Sequence, residues 1–179
     1  MAKARILLRT ETRVSPWVCI VSKEVQFAPD LQTETYHSLA QADYIAILAQ
    51  THNGLIPLVR QYRPAVEEYT WELPAGLLEQ GEAPEDACRR ELKEETGLDA
   101  ESITHLGSYY ADTGRLENRL HAFFVQTSNP DPEFVPEPGI SIDFVNAQTL
   151  RNYILSGKFR QQLHLGLLAL APIMGLQWG

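Results

Sequence analysis

Glu91, Glu94 and Glu95 stand at i, i+3 and i+4 within the stretch from Gly76 to Leu98, GLLEQGEAPEDACRRELKEETGL. On a helix that spacing places all three carboxylates along one edge. Arg89, Arg90 and Lys93 are the basic residues close enough in sequence to neutralise them. Like charges at helical neighbours cost about 0.2–0.5 kcal/mol per pair, so a helix meant only to face water alternates its signs instead. Clustered carboxylate oxygens attract hard divalent cations, Mg²⁺ or Mn²⁺, which take carboxylate, carbonyl and water ligands. The plain alternative is an acidic surface helix. No other catalytic set competes: Gly-x-Ser-x-Gly, the P-loop, Cys-x-x-Cys and His-x-x-x-His are all missing, and the five histidines are scattered. Those histidines read as structural or exposed, which leaves water as the attacking group.

The elements that position the glutamates can be read from the same stretch. Pro84 suits a first helical position, because the N–H it lacks is unpaired there and its φ is already helical. Glu85 and Asp86 sit where the macrodipole favours acids, and Gly97 suits a left-handed stop. Ala83 stands where a Ser or Thr cap is common, at a cost of about 1 kcal/mol to the helix. Upstream, Tyr44 to Leu48 and Leu55 to Gln61 are apolar runs flanking Thr51-His52-Asn53-Gly54, a hairpin signal. Strands are expected at 17–21, 25–27, 33–36, 68–73, 103–111, 120–126 and 140–145, and helices at 149–155 and 159–170. Strands interrupted by one central helix and closed by terminal helices predict an α/β fold, a mixed sheet between helices. Arg60 and Arg63 are three apart, so a regular strand points them to opposite faces.

Written out, the pattern is Gly76, five residues, Glu82, seven residues, Arg90-Glu91-Leu92, one residue, Glu94-Glu95, one residue, Gly97-Leu98. A chance match at all these positions arises in roughly one chain in ten million of this length at average residue usage. It resembles the Nudix box at every defining position. The flanks Arg60-Gln61-Tyr62-Arg63-Pro64 and Glu72-Leu73-Pro74-Ala75-Gly76 resemble the branch that hydrolyses ADP-ribose and other nucleoside diphosphate sugars.

The resemblance implies a Nudix-type α/β/α sandwich with a mixed β-sheet, plus an N-terminal antiparallel strand region. It also implies metal-assisted hydrolysis of a pyrophosphate bond, yielding a nucleoside monophosphate and a sugar phosphate. Mg²⁺ or Mn²⁺ would be held by Glu91 and Glu95, with the Ala75 carbonyl as a further ligand and Glu94 in the shell or bonded to its water. Arg90 matches the structural partner of a box glutamate, and Glu82 an outer-shell glutamate. A loop glutamate acts as general base in that branch; Glu137 and Glu133 are the candidates, with Glu137 favoured for its place just before the strand at Ile140. Arg63 aligns with a phosphate-contacting arginine, whereas Arg60 is either a second contact or a sheet-edge charge. Trp17 and Tyr36 fall where related hydrolases sandwich the base, one from each subunit of a strand-swapped homodimer; the default for such aromatics is burial. Leu77 either lines the pocket or packs in the core. Asp112-Thr113-Gly114 departs from the Ser-Pro-Gly of ADP-ribose specialists and leaves room for a broader substrate range. Two other functions remain open: a nucleoside triphosphate or dinucleoside polyphosphate hydrolase, and a non-catalytic nucleotide-sugar sensor.

Composition agrees with an acidic enzyme. At 179 residues the chain reads as one domain, 1–179, with 1–40 as N-terminal strands for dimerisation and 41–179 as the core. A net charge of −8 argues against coating nucleic acid. Cys19 and Cys88 are too few for a secreted disulfide framework, which points to a reducing, cytoplasmic setting. No targeting segment is expected in MAKARILLRT, and the apolar run Leu163 to Met174 is shorter than a membrane span.

Overall fold

The computed structural model describes residues 3–178, so Met1, Ala2 and Gly179 of the expected 1–179 domain lie outside the described residues. The elements are β1 (Arg5–Arg13), β2 (Cys19–Gln26), β3 (Glu34–Ala40), β4 (Tyr44–Thr51), β5 (Ile56–Arg63), β6 (Glu68–Glu72), β7 (Ala75–Leu77), α1 (Pro84–Thr96), β8 (Ala100–Tyr110), β9 (Arg119–Thr127), β10 (Ser141–Val145), α2 (Ala147–Leu155) and α3 (Gln162–Ile173). They fall into two compact units. Of the described residues, one holds 3–43 together with Tyr110–Arg119, and the other holds Tyr44–Tyr109 and 120–178.

In the larger unit β4 organises the rest. Ile45-Ala46-Ile47-Leu48-Ala49 is apolar at every position, and a strand of that kind has no face to give to water. It lies inside a mixed sheet of order β7-β4-β9-β8, antiparallel to β7 and parallel to β9. Ile45, Ile47 and Ala49 pack with Ala87, Cys88 and Leu92 of α1 on one face. Ala46 and Leu48 face a second core, shared with Leu150, Leu167, Leu168 and Ala171 of α2 and α3. The layering is the expected α/β/α arrangement.

Two expectations are corrected. The Asn53-Gly54 turn forms, with Thr51 N–H donating to the Leu55 carbonyl at 2.9 Å, but its strands do not make a hairpin. The partners of β4 are β7, over Tyr44–Ala46, and β9, whereas β5 joins a separate antiparallel sheet of order β10-β5-β6. The last helix begins at Gln162 rather than Phe159, because Phe159 is buried in a bridge to Trp71.

The smaller unit is the antiparallel sheet β1-β2-β3, the N-terminal strand region expected from sequence. The segment before β9 belongs with it: Leu39 N–H donates to the Arg115 carbonyl at 2.8 Å, and Glu117 N–H donates to the Leu39 carbonyl at 3.0 Å. The Glu117 carboxylate accepts from Ser38 at 2.6 Å and from Arg9 and Lys23.

The box helix starts and stops where its sequence says. Pro84 opens it, Ala83 supplies no side-chain cap, and Gly97 ends it in the left-handed region with φ 72°. Gly97 is constrained twice, since an added Cβ would lie 2.4 Å from Phe134 Cγ. Gly97→Ala should therefore lose about 2–4 kcal/mol, combining left-handed strain with overpacking. Urea denaturation checks this; a loss under about 1 kcal/mol would mean that the ring simply moves aside.

Candidate active site

Burial of Ala87, Cys88 and Leu92 against β4 turns the flank of α1 that carries Glu91 and Glu95 toward β7. There β7 pairs with β4 through Gly76↔Ile45 and Ala75↔Ala46. Glu95 Oε2 accepts the Ala75 N–H at 3.0 Å. The Glu91 carboxyl lies directly on Gly76, where a Cβ would stand 1.9 Å from its carboxyl carbon. Glycine is the residue that leaves room for it. Glu95 is only 9% exposed. Burial pushes its carboxyl up to about 8, helped by the nearby charge of Glu91 and opposed by the Ala75 N–H. Burial raises the Glu91 carboxyl as well, against the pull of Arg90.

Arg90 ties the remaining glutamates together. Its Nε and Nη2 donate to both oxygens of Glu82 at 2.9 Å, a bidentate pair. Nη1 donates to Glu91 at 2.7 Å and to Glu94 at 3.2 Å, and Nη2 reaches the Leu77 carbonyl at 3.2 Å. The Arg90 bonds, with the Glu79 N–H, hold the Glu82 carboxyl down to about 2. Glu94 points more to solvent than its neighbours.

The other candidates are distributed around this centre. Arg63 grips Glu72 with a fork, Nε at 2.9 Å and Nη2 at 2.7 Å, while Thr70 donates to the same carboxylate. Burial favours the neutral acid at Glu72, but these bonds outweigh it and hold the pKa below the ordinary value. Arg60 lies on the opposite face of β5, its guanidinium 4.7 Å from the Tyr69 ring, so the structure does not bring it beside Arg63. Leu77 is 44% exposed and not packed in the core. Trp17 and Tyr36, at 68% and 46% exposure, are not buried either. Tyr36 packs edge-on against Phe27 and donates to Glu34. Glu133 and Glu137 are exposed on the loop between β9 and β10, which Phe134 anchors at Gly97.

Among the described residues, no three His, Cys, Asp or Glu side chains converge as a metal site. The box glutamates turn instead onto protein donors, Glu91 onto Arg90 and Glu95 onto a backbone N–H. The donor set nevertheless fits a hard divalent cation. Glu95, buried, and Glu91, half-buried, lie one helical turn apart; burial disfavours the charge of each, and no cationic side chain bonds to Glu95 among the described residues.

Neither the mixed sheet nor its carboxylate-bearing helix is peculiar to this chain. Residues 40–157 match the family described as the NUDIX domain, and the chain belongs to that family. Among individual proteins, the ADP-ribose pyrophosphatase of Bacillus subtilis (strain 168) is 40% identical over 82 residues, 46% of this chain and 44% of that one. The ADP-sugar pyrophosphatase of Mus musculus is 35% identical over 113 residues, 61% of this chain and 52% of that one. The chain spans about half the length of these curated relatives. A crystal structure of an ADP compounds hydrolase superposes with a TM-score of 0.77, covering 96% of this chain and 94% of that one. At 20% identity that likeness is one of fold.

Sequence reasoning missed three features of the site. Glu72 was quoted only as a flank, yet it is the partner of Arg63; the register pairs Arg63 with Glu68, so spacing alone points to the wrong carboxylate. The short strand β7 falls between the strand expected at 68–73 and the helix at Pro84, where no element is expected from sequence. His164, grouped with the structural histidines, proves to be bonded to the backbone of Leu73, beside the site.

Gly76→Ala isolates the close approach at β7. The clash is with the end of a flexible side chain, so stability should fall by no more than about 1 kcal/mol. Displacing the Glu91 carboxylate should still lower the catalytic rate by about 10²-fold. Melting temperature and rate measured on one preparation check it, and a near-native rate would refute the steric reading.

Proposed function

We propose that this chain hydrolyses the pyrophosphate bond of ADP-ribose or a related nucleoside diphosphate sugar, giving a nucleoside monophosphate and a sugar phosphate, with Mg²⁺ or Mn²⁺ as cofactor. The observation that carries the reading is the pair of half-buried Glu91 and buried Glu95 laid against the backbone of Gly76 and Ala75. The activities named for the Bacillus and mouse relatives support it. Divalent-metal dependence is general in the Nudix family.

Glu91, Glu95 and the Ala75 carbonyl would hold the cation, with Glu94 at the rim of the same cluster. A cation held there would supply charge neutralisation at the leaving phosphate and would lower the pKa of the attacking water. Arg90 keeps the Glu91 carboxylate aimed at β7 and takes Glu82 as its counterweight. Glu72 holds the Arg63 guanidinium in one orientation, from which its outer edge can meet phosphate oxygens. Glu137, with Glu133 as the alternative, serves as general base from its loop. Leu77 is assigned to the substrate site and Trp17 and Tyr36 to the base, while Arg60, on the face of β5 opposite Arg63, is read as a sheet-edge charge.

A homodimer, strand-swapped through the N-terminal sheet, belongs to the same proposal. Ile6, Leu7, Leu8, Ile20 and Leu39 are exposed there, while Val21 is the sheet's buried apolar residue among those described. A sheet with so little core of its own calls for cover from another surface. Unpaired Cys19 and Cys88 accord with a cytoplasmic setting, and no helix among the described residues is long and apolar enough to cross a membrane.

A product-identified panel of sugar nucleotides and nucleoside triphosphates, run with each metal, tests the reaction; cleavage of triphosphates alone would overturn the substrate class. Glu95→Gln should lower turnover by about 10³-fold or more while the protein stays folded. The same variant tests the electrostatics. The folded carboxyl titrates at about 8, above its ordinary 4.5, so the metal-free protein is stabilised below that lower value and loses this contribution as pH rises through 8. Glu95→Gln should lack the loss, and added Mg²⁺ should reverse it in the wild type. Parallel melting curves across that range for both proteins would contradict the assignment. Light scattering should give twice the 20.2 kDa of one chain, and Leu8→Glu should shift that mass toward the monomer; a wild-type monomer would remove the dimer.

A further inference from the structure

Leu73 stands where the chain leaves one sheet for another. β6 ends at Glu72, paired with Val59 of β5, and β7 begins at Ala75, paired with Ala46 of β4. The Leu73 N–H is buried past the end of the β5–β6 ladder, where an unanswered donor costs about 1–3 kcal/mol. Its acceptor comes from α3: His164 Nδ1, at 3.0 Å. His164 is 2% exposed, and its own backbone N–H donates to Gln161 Oε1 at 3.1 Å. A ring nitrogen that accepts a hydrogen bond carries no proton, so this imidazole is neutral with its proton on Nε2. Burial, which lowers its pKa to about 4, agrees with that geometry.

The groups on either side of Leu73 are the ones the chemistry needs. On one side Glu72 fixes the Arg63 guanidinium. On the other, the Pro74 carbonyl accepts the Ile47 N–H at 2.9 Å, Ala75 N–H donates to Glu95, and Gly76 carries the Glu91 carboxyl. A diphosphate held at both places at once must match the distance between them, and a misplacement of about 1 Å can cost about 10²-fold in rate.

We propose that His164 is a positioning residue: its accepting ring nitrogen fixes the step from sheet to sheet at Leu73, and with it the spacing between Arg63 and the Glu91–Glu95 pair. This rests on the hydrolase reading above. His164→Leu removes the acceptor, and His164→Gln retains one on the amide oxygen. The test follows amide exchange at Leu73 and the ¹⁵N shift of Ala75 on metal-free protein, alongside kcat and KM. In His164→Leu, exchange at Leu73 should quicken at least about tenfold, the Ala75 signal should move, and kcat should fall about 10²-fold with KM within about threefold. His164→Gln should recover most of each. A wild-type kcat in His164→Leu despite the quickened exchange would overturn the proposal, as would a Gln variant no better than Leu. Should His164→Leu fail to fold, the Gln variant and the ring ¹⁵N shifts of the wild type decide, and a proton found on Nδ1 overturns it. If the wild type cleaves no nucleotide sugar, the hydrolase reading fails by itself, and the Ala75 signal still reports whether His164 sets the step.

Discussion

Charge taken out of water destabilises a protein unless something answers it, and Glu95 is buried and Glu91 half-buried. The rest of the site is arranged around that fact. Arg90 answers Glu91 directly and is itself held by Glu82 and the Leu77 carbonyl, so the cation cannot swing away. Among the described residues Glu95 receives only a backbone N–H, and its carboxyl prefers to keep its proton. The two glutamates thus differ in how fully the protein neutralises them. The less compensated one has the most to gain from a divalent ion.

Such a centre needs a rigid floor, and β4 provides it. Because both faces of that strand are buried, α1 on one side and α3 on the other are fixed to the same backbone. β7 is three residues long and pairs with β4 along its whole length. Its position is therefore set by a strand that has little freedom to shift. The Glu91 carboxyl can approach that backbone closely because Gly76 puts no side chain in its way.

Much of this was legible in the residues themselves. The helix from Pro84 to Gly97, its unfilled cap at Ala83 and the glutamates along one flank follow from local rules that depend on near neighbours. The β-branched and aromatic residues that mark β8, β9 and β10 are a local signal too, as is the opposition of Arg60 and Arg63 on β5. What sequence did not show depends on contacts between distant elements. Asn53-Gly54 promises a turn but cannot say that β4 pairs with β7 and β9 rather than with β5. The resemblance of the box to a known family names Gly76, yet only packing shows a carboxylate in the space where a side chain would be. Arg63 finds Glu72 rather than its register partner Glu68, and His164 meets Leu73 across 91 positions of chain. No periodicity encodes either pairing.

The same contacts explain why the site is costly to maintain. A carboxyl raised by burial, a glycine in a strand and an uncapped helix start each subtract from stability. The larger unit offsets them with two apolar clusters meeting on β4. The three-stranded N-terminal sheet has no comparable reserve, since its apolar side chains lie mostly in the open. The costly groups are thus concentrated where the core is deepest, and the exposed apolar side chains of the N-terminal sheet lie elsewhere. That division is expected when binding chemistry is built on rigid elements, whose packing offsets the cost of the site.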